Sequence, residues 1–216
     1  YDNNAPKTMN AHLHVLEAYT LLYQCWKDNG LKKRLEFCVD LFMNRIYDPS
    51  RKHFNLFFDN EWNSLVEMDS YGHDVETGWL LCEAARTLEN QDLIEQTNQL
   101  ALDVTEACLA EGMSDKGYMI YEKKGDRKTK HASWWGQIET VIACVNAWQI
   151  SGSDVYLQSV DTVWTFVKDH MVDKEYGEWY SDCFDGEPKK EAPKVSMWRC
   201  PYHTVRLGVE MYNRLK

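Results

Sequence analysis

Three histidines recur at matching places in predicted helices, each followed three residues later by a charged side chain. The pairs are His14 with Glu17, His73 with Glu76, and His203 with Arg206. Residues three apart lie on one face of a helix, so each imidazole would have a polar partner one turn on. Because imidazole exchanges protons near neutral pH, the pattern indicates acid–base chemistry. A three-histidine metal site is the alternative, and it requires all three rings to meet at one ion.

A fourth segment has equivalent positions, or slots, directly after Trp135. Gly136 stands in the slot of the histidine and Glu139 in that of the charged partner. Successive slots, starting from His14, are 59, 63 and 67 residues apart. This period is longer than that of the common solenoid repeats and suits a helical hairpin followed by a long loop. If such hairpins close into a ring, the first turns of the inner helices meet at one mouth of a central cavity. For His14 considered alone, ordinary packing as a half-buried residue is an equally good interpretation.

His12 and His14 lie two residues apart, which places them about 200° apart around a helix. They therefore face opposite sides and do not share a metal ion. His14 shares its face with Asn10 and Glu17. We therefore predict that His14 is the functional histidine and that His12 packs against a neighbouring loop or helix.

Tryptophans stand at several predicted junctions between loops and helices. The junction set is Trp62, Trp134, Trp135, Trp179 and Trp198, whereas Trp79, Trp148 and Trp164 read as ordinary packing. The apolar faces of sugar rings stack on indole, while acids and amides hold the hydroxyls. The junction set therefore predicts the wall of a sugar-binding cleft.

The apolar residues follow a helical period over most of the chain, which predicts an all-α single domain over 1–216. The predicted helices are 9–28, 31–47, 73–89, 92–111, 131–151, 154–171 and 198–214, the last without a hairpin partner. Three β-like excursions interrupt them: "KHFNLFFDNEW" with an Asp-Asn turn, "GYMIYEKKGD" and "GEWYSDCFDG". Such long connections are uncommon unless they are functional, and here they could wall a cleft.

Composition limits the class of partner. The chain has 216 residues, 44% of them hydrophobic, and a formal net charge of −10. An acidic chain argues against nucleic acid, whose phosphates require clustered lysine and arginine. The basic stretch 122–131 is broken by acids and reads as a solvated loop. No apolar run is long enough to span a membrane.

Seven cysteines, an odd number, occur without any C-x-x-C spacing. Four of them lie in apolar helical runs, namely Cys38, Cys82, Cys108 and Cys144. Free buried thiols in a reducing, cytoplasmic setting fit this usage better than a disulfide or zinc framework. The start "YDNNAPKTMN" is polar and lacks a methionine, which we interpret as a processed or truncated chain without a signal peptide.

Four segments, in order along nearly the whole chain, resemble the N-acylglucosamine 2-epimerase superfamily and within it the cellobiose 2-epimerase (mannobiose 2-epimerase) branch. They are "KTMNAHLHVLEAYT", "DSYGHDVETGWLLCEAA", "ASWWGQIE" and "MWRCPYH". The resemblance implies an (α/α)6 barrel and a reaction without a cofactor. The substrate would be a β-1,4-linked disaccharide such as cellobiose, lactose or mannobiose. Its reducing-end sugar would open, lose the C2 proton to give a cis-enediol, and regain a proton on the other face.

The resemblance also implies roles for individual histidines. His73 and His203 match the acid–base pair. His14 matches the histidine that assists ring opening and binds the anomeric oxygen. No metal is implied.

Substrate-binding roles are implied for five further residues. Asn10 and Glu76 match hydroxyl-binding and histidine-orienting positions. Trp135 and Trp198 match the indoles that hold the sugar rings. Asp2 falls where the family has an aspartate before "MNAHLH".

The family barrel has about twelve helices, of which we predict about seven here, so the chain resembles a C-terminal portion. We expect five helices and an oxyanion-stabilising arginine upstream of it, and an open, arc-shaped stack that is inactive alone. Its exposed helix faces would favour dimerisation.

Three alternative functions remain open. The first is an aldose–ketose isomerase of the same superfamily. The second is an (α/α)6 glycoside hydrolase that uses two carboxylates among Glu17, Glu76, Glu139 and Asp69. The third is a non-catalytic carbohydrate-binding fragment.

Overall fold

The computed structural model describes residues 5–216, and Asp2 lies outside this range. Seven α-helices form the described part of the chain, which confirms the all-α prediction. They are α1 Met9–Cys25, α2 Asn29–Leu41, α3 Tyr71–Leu88, α4 Gln91–Gly112, α5 Trp134–Ser151, α6 Val155–Phe166 and α7 Tyr202–Arg214. Helices α2 and α6 each continue into a five-residue π-helical turn, Phe42–Ile46 and Val167–Met171. None of these helices is both long and apolar enough to cross a membrane.

Four helices begin at a side chain that accepts a hydrogen bond from the first turn. The capping residues are Thr8, Asp28, Asn90 and Ser133, which precede α1, α2, α4 and α5 respectively. Such caps satisfy backbone N–H groups that have no partner inside the helix. Helix α5 ends at Gly152, whose φ of 71° is a left-handed conformation that glycine adopts without strain.

The odd-numbered helices form one layer and the even-numbered helices support it. Helix α3 contacts α1 on one side and α5 on the other, and α5 in turn contacts α7. Helices α2, α4 and α6 pack against α1, α3 and α5. The apolar positions of α3 and α5 are buried almost throughout. This arrangement brings the first turns of the odd helices together.

Short antiparallel strands occupy the connections. They are β1 Lys7–Thr8, β2 Tyr47–Asp48, β3 His53–Phe54, β4 Phe57–Phe58, β5 Met68–Asp69, β6 Glu122–Lys124, β7 Arg127–Thr129, β8 His131–Ser133, β9 Asp182–Phe184 and β10 Glu187–Pro188. Strand β1 pairs with β4 and β2 with β3, while β5–β6–β7 and β8–β9–β10 form three-stranded sheets. Strand β5 leads into α3 and β8 into α5, so the sheets anchor the starts of two site-bearing helices.

Several predicted boundaries are wrong. Residues 131–133 form a strand rather than the start of a helix, because they pair with β9. Helix α7 begins after Pro201, whose ring disfavours helical backbone at the residue before it. The predicted Asp-Asn turn, by contrast, is present after β4, where Phe58 and Ser64 form an antiparallel bridge across it. The basic stretch 122–131 is largely the β6–β7 hairpin rather than a loop.

Large apolar side chains remain exposed on several helices. On α1 and α7 they include Val15, Leu21, Leu22, Val205, Val209 and Tyr212. Dimerisation through such faces stays a prediction.

Candidate active site

A buried ion cluster stands where four helices meet. Arg206 of α7 donates from Nη1 to Glu76 Oε1 at 2.7 Å and to Glu139 Oε1 at 3.0 Å, and from Nη2 to Glu17. The side chains of Glu76 and Glu139 are 1% and 0% exposed. Two of the three carboxylates around this guanidinium, those of Glu76 and Glu139, are removed from solvent and lie close to each other. Burial, followed by repulsion from Glu139, therefore raises the pKa of Glu76 to about 7.

His203 belongs to this cluster through Glu139. Its Nδ1 lies 2.7 Å from Glu139 Oε1, and the other carboxylate oxygen accepts the indole N–H of Trp79 at 2.9 Å. Burial lowers the pKa of His203, but the hydrogen bond and the charge of Glu139 outweigh it and raise the pKa overall. His203 therefore holds a proton more firmly than an exposed histidine does.

His14 joins the cluster from α1. Its Nδ1 lies 3.3 Å from Glu17 Oε2, an oxygen that also accepts the hydroxyl of Tyr202. The hydrogen bond to Glu17 raises the pKa of His14 despite partial burial. Burial opposes ionisation of Glu17, yet the contacts with His14 and Arg206 lower the pKa of its carboxyl. The pair thus lies at the end of the arginine cluster, and each partner stabilises the charged form of the other.

His73 has a different environment. Its Nδ1 shares a 2.8 Å hydrogen bond with Ser70 Oγ, and Ser70 immediately precedes α3. Burial, helped by the charges of His14 and His203, lowers the pKa of His73 to about 3. The expected pairing of His73 with Glu76 is wrong, because Glu76 turns to the Arg206 guanidinium, a stronger partner for a buried carboxylate. His73 is therefore a neutral imidazole at neutral pH.

Partners one turn along the helix are thus the exception. The expected spacing of three residues holds for His14 alone among the three histidines. His203 pairs with Glu139 of α5, and not with Arg206. Arg206 instead gathers the glutamates of three other helices.

The Trp135 indole lies against the rings of His73 and His203. Its ring centroid is 4.5 Å from that of His73 and 5.8 Å from that of His203. The absence of a side chain at Gly72 permits this packing, because a Cβ there would approach the Trp135 ring to 2.6 Å. Gly136, which fills the histidine slot of α5, lies at the same close approach of α3 and α5.

The predicted wall of tryptophans is only partly assembled. Trp134 lies edge-on to His203 at 6.2 Å, beside Trp135. Trp62 packs instead on His12, at 5.2 Å between ring centroids, as expected for a histidine that contacts a loop. Trp179 packs on Trp164, and Trp198 is 76% exposed in the segment before α7. Trp62 and Trp179 therefore contact residues of α1 and α6, and the placement of Trp198 at the sugar stays a prediction.

Two concavities adjoin the histidines. Asn10, Ser70, His73 and Tyr121 line a cavity of about 430 Å³, together with apolar residues of the β1–β4 and β5 strands. The buried Asn10 Oδ1 has no hydrogen-bond partner among residues 5–216, so it is available to a ligand. A larger groove of about 940 Å³ runs between α1, α3 and α7, where Glu17, Tyr202 and Arg206 line it.

The histidines do not form a metal centre with one another. Within the described range, the groups whose ligand atoms lie within 4.8 Å contain at most one histidine each. One such group is Glu76, Glu139 and His203, but Arg206 already bonds both of its carboxylates.

Two residues of the site, Ser70 and Tyr202, were not predicted from the sequence. Ser70 stands three residues before His73, a spacing that could have indicated a partner. Tyr202 lies next to His203 and reaches Glu17 across the site, a contact that no local pattern indicates.

Residues 2–206 match the family described as N-acylglucosamine 2-epimerase (GlcNAc 2-epimerase). The chain is 41% identical over 215 residues to a cellobiose 2-epimerase of Bacteroides fragilis, covering 97% of this chain and 54% of that protein. It superposes on a cellobiose 2-epimerase of Bacillus thermoamylovorans B4167 with a TM-score of 0.93 at 36% identity, covering 97% and 54% of the two chains. A sugar epimerase from a ruminal bacterium gives a TM-score of 0.95 at 34% identity, with 99% and 56% coverage. The chain thus spans about half the length of the relatives it matches. Motifs, helical architecture and these similarities agree that the chain belongs to the N-acylglucosamine 2-epimerase family.

Proposed function

We propose that this chain carries the acid–base residues of a sugar 2-epimerase that inverts C2 at the reducing end of a β-1,4-linked disaccharide. The observation that supports it is the unlike pair of imidazoles on the Trp135 ring. His73 has a hydroxyl partner and a pKa lowered to about 3, whereas His203 has the Glu139 carboxylate, which raises its pKa. A neutral base and a protonated acid are the two groups that inversion through an enediol requires.

His73 removes the C2 proton of the opened sugar, and His203 delivers a proton to the opposite face. The enediolate that forms between the two steps is negative, and its charge offsets the burial that disfavours protonated His73. Each unit by which this charge raises the pKa of His73 corresponds to about 1.4 kcal/mol. His14, whose pKa the hydrogen bond to Glu17 raises, donates a proton to the ring or anomeric oxygen during opening.

Asn10 binds a sugar hydroxyl through its unpartnered Oδ1 in the cavity that His73 also lines. Trp135 packs against the reducing-end ring. Glu76 acts indirectly, by holding the Arg206 guanidinium in place. The roles of Trp198 and Asp2 in binding the sugar stay predictions from the resemblance. A cytoplasmic location and a reaction without a cofactor also stay predictions.

The hydrolase alternative has less support. Glu76 and Glu139 would have to flank a glycosidic bond, about 5–10 Å apart. The two carboxylates instead share one arginine, and oxygens of the two groups lie within 4.8 Å of each other. The aldose–ketose isomerase uses the same enediol and differs only in returning the proton to C1.

The test is proton NMR of cellobiose in D2O with this chain, and with any longer natural chain that contains it. Deuterium at C2 together with the C2 epimer supports the proposal. A ketose product would indicate the isomerase, and free glucose the hydrolase. His14→Asn and His73→Asn should each abolish exchange, whereas His12→Asn, two residues from His14, is the matched control. Exchange that survives His73→Asn would contradict the assigned roles.

A further inference from the structure

A second cluster of charged side chains lies on the other side of β5 from the epimerase site. It lines a cavity of about 500 Å³ formed by the β2–β3 turn, β5, the end of α4 and the β6–β7 hairpin. His53, Asp69 and Glu111 face one another there, and their ligand atoms all lie within 4.8 Å. The reaction proposed above uses none of these three residues.

The two ring nitrogens of His53 differ in their hydrogen bonding. Nδ1 lies 2.7 Å from Asp74 Oδ2, and Asp74 Oδ1 also accepts the Phe54 backbone N–H at 3.0 Å. Nε2 is buried, the residue being 1% exposed, and has no hydrogen-bond partner in the described chain. Its nearest charged neighbour is Glu111 Oε1 at 3.7 Å, beyond hydrogen-bond range. A buried nitrogen that faces two carboxylates and has no hydrogen-bond partner indicates that a ligand binds there.

We propose that His53 Nε2, Asp69 and Glu111 bind one divalent metal ion of the zinc type. Two carboxylates and one imidazole, with water in the fourth position, form a tetrahedral donor set that zinc accepts. Bonds of about 2.1 Å to a tetrahedral ion separate neighbouring ligands by about 3.4 Å. The 3.7 Å between His53 Nε2 and Glu111 Oε1 is close to that separation.

The surroundings also fit a metal centre. Asp74 on Nδ1 forms the carboxylate–histidine pair that commonly orients a metal-binding imidazole. Arg51 bonds Asp69 Oδ1 and is itself held by Asp48, which leaves Asp69 Oδ2 for the ion. The site would join β3, β5 and α4, and Asp69 directly precedes Ser70, the partner of His73.

Lys123 competes for the same place. Its Nζ bonds Glu111 Oε2 at 3.0 Å and lies 3.9 Å from Asp69 Oδ2. Its side chain is 29% exposed, so it can swing into solvent when an ion binds. The ammonium therefore lowers the affinity for a metal without blocking the site.

The test is calorimetric titration of this chain with ZnCl2. All variants carry Cys25→Ser and Cys200→Ser, because these exposed thiols would otherwise bind zinc. We expect one equivalent of zinc to bind. Glu111→Gln, at a half-exposed position that should not disturb folding, should weaken binding about tenfold or more. Lys123→Gln should tighten binding by removing the competing cation, and Glu95→Gln on the same helix as Glu111 should change nothing.

A second measurement reports on the nitrogen itself. Zinc should shift the 15N resonance of His53 Nε2 and leave that of His170 unchanged. The absence of binding at millimolar zinc, or binding that Glu111→Gln leaves intact, would overturn the proposal. Both readouts are independent of sugar turnover, so a failure of the proposed epimerase function would leave this test valid.

Discussion

Replacement of Glu76 by glutamine should stabilise the protein at alkaline pH. Burial and the neighbouring Glu139 raise the pKa of Glu76 to about 7, from an ordinary value of 4.5. The folded protein therefore binds this proton more tightly than the unfolded chain does. The resulting stability is fully present below pH 4.5 and is lost as the pH rises to about 7.

The magnitude follows from the shift. A difference of about two to three pH units corresponds to about 3 kcal/mol of unfolding free energy, at about 1.4 kcal/mol per unit. Glutamine has the shape of the protonated acid, cannot ionise, and keeps an oxygen that can accept the Arg206 N–H bond. Glu76→Gln should therefore match the wild type near pH 4.5 and exceed it by up to about 3 kcal/mol above pH 7. The titration belongs to the Glu76–Glu139 pair as a unit.

The assay is urea unfolding followed by circular dichroism at several pH values between 4.5 and 8. Glu36→Gln, an exposed position on α2, is the control and should show no such trend. The opposite sign would refute the reasoning. A variant several kcal/mol less stable than the wild type at pH 8 would mean that Glu76 is ionised in the fold and that Arg206 holds its pKa low.

Three other predictions concern packing and protonation. The 15N resonances of the His73 ring should stay those of a neutral imidazole from pH 8 down to pH 5, because burial lowers its pKa to about 3; a titration midpoint near 6.5 would contradict this. Gly72→Ala should destabilise the protein by about 1–3 kcal/mol in urea, because its Cβ would lie 2.6 Å from the Trp135 ring. Gly208→Ala, an exposed helical position with nothing within 4 Å, should instead gain up to about 1 kcal/mol, and equal effects would refute the packing argument. Leu13→Ala should cost about 2–5 kcal/mol by the same assay, since Leu13 is fully buried, and a loss below 1 kcal/mol would mean that the core closes around the gap.

The sequence predicted elements well where local physics governs them. The period of apolar residues indicated seven helices, and the caps at Thr8 and Asp28 mark helix starts within one or two residues of those predicted. Strand assignments were poorer, because two- and three-residue strands depend on partners far along the chain. Lys7–Thr8 pairs with Phe57–Phe58, a pairing that no local pattern reveals.

The sequence by itself determined that three histidines and three glutamates recur at matching helical positions, because a helix places residues three apart on one face. Only the tertiary structure decided their partners. Arg206 reaches Glu76 across 130 positions and His203 reaches Glu139 across 64. Those pairings follow from which helices pack together and from how strongly a buried guanidinium attracts carboxylates. Because the same packing leaves His73 with a hydroxyl and gives His203 a carboxylate, the pKa values of two identical side chains move in opposite directions.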